Sequence, residues 1–149
     1  MIALLNKAEM LSKRLAPDWL TSAALRVALG VPFFLSGLTK WDGFGKLSES
    51  AVFLFTEEFK LHVFGSLIDY PFPYASAFAA GVGEVVLPIS LVLGLFTRFA
   101  ALALLAMTAI IQITVPSGWP IHLTWAAMAL GIIAIGPGKV SIDRMWRNT

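Results

Sequence analysis

Two charged residues stand inside otherwise uncharged apolar stretches of this chain: Glu84 between Ala75 and Phe96, and Arg26 between Trp19 and Leu38. A carboxylate or guanidinium at bilayer depth costs ~3 kcal/mol on insertion scales, so such residues persist where they meet one another, water or a ligand. The chemistry on offer is proton relay by the carboxylate and hydrogen-bond donation by the guanidinium. Counted at ~1.5 Å per residue from the ends of their own stretches, Arg26 lies roughly 10 Å and Glu84 about 18 Å from the same face of the bilayer. One arginine side chain closes that gap. The expectation is an Arg26–Glu84 ion pair, in which pairing removes much of the cost of burial.

The neighbouring residues suit close helix approach. Gly30 and Gly37 share a face with Arg26, and Gly81 precedes Glu84 by one turn; small residues let helices meet where lipid supplies no hydrophobic drive. Pro88 and Pro32 each deprive a carbonyl one turn earlier, of Glu84 and Ala28, of its helical donor. Thr108 and Gln112 share one face of a third apolar stretch, while Trp119, His122 and Trp125 open a fourth. With Lys40, the residues Thr108, Gln112, His122 and Trp125 form the candidate ligand-contacting set around Arg26 and Glu84. Each also has a plainer reading. The two charges could clamp helix register, Gln112 could be interhelical glue, and His122 could be bonded locally at an interface. The tryptophans read as interfacial anchors and His62 as solvated. Two histidines without carboxylate partners make a weak metal signal, and no metal site is expected.

These side chains must be positioned by membrane-spanning elements. The chain has 149 residues, 58% hydrophobic and only 13% charged, with a mean hydropathy of +0.80. A soluble domain would carry about a quarter charged residues. No Lys, Arg, Asp or Glu occurs from Phe99 to Gly138, a stretch about twice the ~20 residues of one span. The reading is an all-α membrane protein, a single domain over residues 1–149, with four spans at 19–38, 75–96, 99–115 and 120–136. Leu4, Leu5, Ala8, Leu11 and Leu15 predict an amphipathic surface helix over 2–15, stopped before Pro17. That segment lacks a signal-peptide cleavage site, so the first span is expected to serve as the targeting signal. The connection from Trp41 to Pro73 is expected to be helical and to lie at the outer surface. Leu95–Arg98 and Val115–Pro120 read as tight turns. The absence of cysteine excludes thiol–disulfide and iron–sulfur chemistry within the chain. A net charge of +2, without a basic stripe, gives no sign of nucleic acid binding. Seven Lys and Arg fall on the side of the termini and three on the other, so the positive-inside rule puts both termini in the cytoplasm.

Several ordered pieces resemble the DoxX family of small bacterial membrane proteins. They are Arg26-Val27-Ala28-Leu29-Gly30, then Phe33 to Gly37 followed by Lys40, then Glu84 ahead of Gly94-Leu95-Phe96-Thr97-Arg98. Trp119-Pro120-Ile121-His122-Leu123-Thr124-Trp125 and Gly136-Pro137-Gly138-Lys139-Val140-Ser141-Ile142-Asp143 complete the set. The resemblance implies a four-helix membrane bundle in a bacterial inner membrane and a link to quinone-coupled oxidation. It leaves room for an electron-delivering or periplasmic partner and for self-association. Two functions follow as expectations. One is an oxidoreductase subunit that binds quinone between its helices, with Arg26 and Gln112 as donors and Glu84 as proton relay. The other is a non-catalytic scaffold or small carrier, supporting a metal-handling or stress-response partner.

Overall fold

A computed structural model describes residues 1–147, apart from the side chains of residues 2–5, 8 and 9. Among the described residues, four helices are long and apolar enough to cross a bilayer. They are α2 (Asp18–Leu38), α4 (Pro73–Leu93), α5 (Thr97–Thr114) and α6 (Trp119–Ile135), preceded by α1 (Ile2–Leu15) and followed by α7 (Ile142–Arg147). All four expected spans are present, with ends shifted by at most three residues. The N-terminal helix runs over the expected residues, but the apolar face assigned to Leu4, Leu5 and Ala8 lies outside the described side chains.

The helix limits follow local chemistry. Pro73 opens α4, where a missing N–H costs nothing. Gly94, at φ 71°, closes it: the Gly94 amide donates to Leu91 and the Leu95 amide to Ser90, so two terminal carbonyls are satisfied by a left-handed cap. The turn into α5 therefore occupies 94–96, and Thr97 and Arg98 are already helical.

The connection between α2 and α4 departs from the expected helix. Two antiparallel hairpins, β1–β2 (Trp41–Gly43, Lys46–Leu47) and β3–β4 (Lys60–Val63, Ser66–Asp69), flank a short helix α3 (Glu49–Phe53) that runs on into a wider π turn at Leu54–Glu58. Phe64 and Gly65 both have positive φ between the paired Val63 and Ser66. This is the two-residue turn whose twist suits a hairpin. The Ser48 hydroxyl accepts from the Ala51 amide and caps α3. His62 is not merely solvated: its Nδ1 donates to the Ile113 carbonyl at 3.1 Å and ties β3 to the end of α5.

Leu29, Phe33, Leu91, Ala100, Ala101, Leu104, Ala129 and Ile132 form the core where the four long helices meet. Leu47, Phe55 and Ala77 form a second cluster beneath the hairpins, with Trp41, Phe59 and Tyr70 against it. Trp41 is thus a packing residue rather than a lipid anchor. Its indole lies against Gly81, where a Cβ would come within 2.7 Å of the ring. Exposed aliphatic residues such as Val27, Val31, Val86, Ile89 and Leu102 ring the outside of the bundle, as a lipid-facing surface requires.

The antiparallel pair α2–α4 is strongly staggered. Gly37 packs on Glu84, Gly30 on Pro88 and Val92, and Arg26 on Gly94. The first two turns of α2 consequently extend past the end of α4. They are covered by the segment after α6: the Ser22 hydroxyl donates to the Gly136 carbonyl at 2.7 Å, and Gly138 sits against Trp19 and Ser22. We call this the terminal end of the bundle, and the opposite one the hairpin end.

Candidate functional site

The stagger separates the two intramembrane charges. Arg26 and the Glu84-facing Gly37 are eleven residues apart on α2, or about 16 Å along the axis. The expected Arg26–Glu84 pair is not formed. Counting depth from the end of each apolar stretch assumed that the stretches begin in one plane, and they do not.

Glu84 instead pairs with Lys40, which follows α2 by two residues and reaches back along it. Nζ lies 2.6 Å from Oε2, and the side chains are only 12% and 7% exposed. Lys40 Nζ also lies 3.3 Å from the Ser36 hydroxyl. Gly37 brings the two backbones together here, since a Cβ at that position would be 2.9 Å from the Glu84 carbonyl carbon, oxygen and Cβ. This contact covers the carbonyl that Pro88 deprives of a helical donor. Lys40, placed among the ligand-contacting residues, is a structural partner of Glu84 in this arrangement.

Arg26 is 3% exposed and turns toward the terminal end. Its Nη2 donates to the Val140 carbonyl at 2.7 Å, while Nε and Nη1 are buried without a hydrogen-bond partner. Gly94 leaves the space the guanidinium needs, because a Cβ there would run into Nη1 and Ser141. The compensating charge is Asp143, which interacts with Arg26 electrostatically. Asp143 is a residue whose role the sequence reading missed. Its Oδ1 accepts from the Phe96 amide at 2.8 Å, and its Oδ2 accepts from the Thr97 amide at 2.8 Å and the Thr97 hydroxyl at 2.7 Å. A carboxylate from α7 thereby caps α5 from outside, where the free amides and helix dipole favour negative charge. Burial pushes the Asp143 carboxyl upward, but the Thr97 and Phe96 hydrogen bonds, with the nearby Arg147 charge, outweigh it and hold the group below its ordinary value. The return contact runs from the Asp143 amide to the Gly94 carbonyl at 2.9 Å.

Three of the expected ligand-contacting residues do converge. Thr108, Gln112 and His122 line a cavity of about 500 Å³ between α5 and α6, otherwise walled by Leu102, Leu105, Ala106, Leu123 and Trp119 among others. The Thr108 hydroxyl is turned back to the Leu104 carbonyl at 2.8 Å. Gln112 Nε2 donates to the Pro116 carbonyl at 3.2 Å, which aims its Oε1 at His122 Nδ1, 2.8 Å away. Because a carbonyl oxygen only accepts, His122 carries its proton on Nδ1. Nε2, with no hydrogen bond among the described residues, is then an acceptor in the neutral ring. Gly118 makes room for the imidazole, as a Cβ there would lie 2.5 Å from Cε1. Trp125 supports it from α6 at a centroid distance of 5.3 Å, itself packed on Phe33 at 5.0 Å. Trp125 thus touches the histidine without lining the cavity. Among the described residues, no group of three or more His, Asp or Glu could hold a metal ion.

A bundle of four membrane-length helices, sealed at one end by the return of its last helix, defines a small multi-pass membrane protein. The DoxX family model matches residues 21–117, and the chain belongs to that family. A Haemophilus influenzae protein described as an uncharacterized protein is 27% identical over 133 residues, which cover 81% of this chain and 80% of the other. No solved structure matches. Arg26, Gly94, Thr97 and the 136–143 segment, quoted above as separate pieces of the resemblance, meet in a single cluster at the terminal end.

Proposed function

We propose that this DoxX-family protein is a quinone-binding membrane subunit whose ligand enters the α5–α6 cavity from the lipid. The observation that carries the reading is an apolar cavity between α5 and α6 lined by the hydrogen-bonded Gln112–His122 pair, whose His122 Nε2 has no hydrogen bond among the described residues. Pockets for small lipophilic ligands have this make-up, mostly apolar walls with a few placed polar groups. Two electrons from a partner and two protons would convert bound quinone to quinol; the imidazole, protonated at Nε2, would pass one proton to a quinone oxygen, and the other would come from water. Gln112 holds the tautomer that makes this transfer possible. The electrons would come from a partner, since the chain has no thiol of its own. In this reading Arg26, Glu84 and Lys40 frame the bundle, and proton exchange falls to His122.

The excess of Lys and Arg at the terminal end, seven against three, supports an inner-membrane orientation with both termini cytoplasmic and the cavity's polar residues toward the periplasmic side. The test is tryptophan quenching by a short-chain quinone in detergent, with Trp119 and Trp125 as reporters. Saturable quenching is expected in the parent protein. His122→Phe and Gln112→Leu should each weaken it roughly tenfold, the loss of a hydrogen bond worth about 1.4 kcal/mol. Affinity unchanged in both variants refutes the reading. The scaffold reading draws support from the two intramembrane charges, both engaged in contacts within the bundle; it predicts no saturable quenching at all.

A further inference from the structure

The terminal end carries a second cavity, remote from the one between α5 and α6. About 680 Å³ in volume, it is lined by Lys13, Arg98, Lys139, Arg144 and Arg147, with Asp18 as its acid. Five cations against one carboxylate give an excess of positive charge within one concave surface. Trp19 and Ile135 border it, at the first turn of one span and the last residue of another, which is the depth of a lipid headgroup. A smaller cavity shares Arg98, Arg147 and Pro137 with it, has Thr97 and the Asp143 carboxylate (already engaged in capping α5) in its wall, and opens onto Phe96, Phe99 and Trp146, all three largely exposed. Cationic cavity and apolar aromatic flank therefore adjoin, one placed for a phosphate and the other for acyl chains.

We propose that this is a binding site for the phosphate headgroup of an anionic phospholipid. The fold holds the cations in place. Arg98 is fixed by its Nε–H bond to the Ile133 carbonyl at 3.1 Å, with Gly136 leaving room for its guanidinium. Arg144 and Arg147 ride on α7, whose position is set by Asp143. Guanidinium groups suit phosphate because their planar forks donate in pairs. The adjoining apolar flank selects a lipid over a soluble anion, because a free phosphate gains nothing from Phe96 or Phe99. Each basic side chain near an anionic surface contributes severalfold to affinity.

The test is native mass spectrometry and thermal unfolding of the full chain in detergent, with phosphatidylglycerol, phosphatidylcholine or inorganic phosphate added. Phosphatidylglycerol should be retained and should raise the unfolding temperature, while phosphatidylcholine and inorganic phosphate should do neither. Lys139→Gln with Arg144→Gln removes two cations while leaving the Asp143 latch and the α5–α6 cavity intact, and should weaken retention by roughly 10–30-fold. An unchanged circular dichroism spectrum and an unchanged unfolding temperature without lipid show that the variant is folded. Equal retention of the zwitterionic lipid, stabilisation by inorganic phosphate alone, or undiminished binding in the double variant would each overturn the proposal.

Discussion

Removing the ammonium from the Lys40–Glu84 pair should cost more than removing both charges together. At 2.6 Å and an effective dielectric constant near 20, the attraction is about 6 kcal/mol. Desolvation of two ions offsets most of it, so the pair itself contributes little net stability. The single variants differ. Lys40→Met strands a carboxylate that is 7% exposed beneath Gly37 and should lose about 3–5 kcal/mol. Glu84→Met leaves an ammonium at the end of α2, which can turn outward, and should lose roughly 1–2 kcal/mol. Methionine keeps the unbranched shape that the Gly37 contact demands. The double variant should return to within ~1 kcal/mol of the parent, because apolar replacement of a buried pair is often neutral. Unfolding by SDS titration in mixed micelles, followed by circular dichroism, measures all four corners of the cycle. Additivity within about 0.5 kcal/mol would mean that the two groups do not interact, and the assignment of Glu84 to the frame would fail.

Three further outcomes follow. Asp143→Asn should destabilise the fold by about 1–3 kcal/mol through its weakened cap on α5. Because the Asp143 carboxyl is held below its ordinary value, its contribution is present above the unfolded-state value of about 4 and vanishes as pH falls through the lower folded value; parent and variant melting curves should therefore converge on acidification. Gly37→Ala should cost about 1–3 kcal/mol by pushing α2 off Glu84, whereas Gly43→Ala, with open space around it, should leave the helix contacts undisturbed, and equal losses in thermal unfolding would contradict the packing. Lys60→Ala removes an ion pair whose aspartate, Asp69, is 81% exposed, and its unfolding midpoint should change by no more than ~0.5 kcal/mol equivalent.

The spans were legible in the sequence because a bilayer demands about twenty apolar residues in a row, and nothing else in the chain imitates that. Helix stagger leaves no such mark in hydropathy. Measured from their own ends, Arg26 and Glu84 therefore fall within one arginine side chain of each other in depth, although Gly37 and Gly94 are the residues against which Glu84 and Arg26 pack. Lys40 could have been found, since a lysine just past a span commonly reaches back along it. The second hairpin was also readable. Lys60-Leu61-His62-Val63 alternates polar and apolar residues ahead of Phe64-Gly65, but the acidic residues around it give the segment the composition of a solvated loop. Asp143 was beyond reach, because a cap supplied to α5 from 46 or 47 residues downstream has no local signature. The convergence of Gln112 and His122 is half visible in the sequence: each is a polar residue in an otherwise apolar span, and the turn at Pro116–Gly118 brings them together.

The return of the 136–143 segment across the start of α2 has a consequence for biosynthesis. The carbonyl that receives Arg26 lies 114 residues further along the chain, so at roughly 5–20 residues per second the ribosome takes on the order of ten seconds to deliver it. Throughout that interval the earliest span carries an unanswered guanidinium inside the nascent bundle. A message cut short before Val140 would leave it so permanently, and membrane proteases that survey unassembled helices would have a marker by which to recognise the fragment.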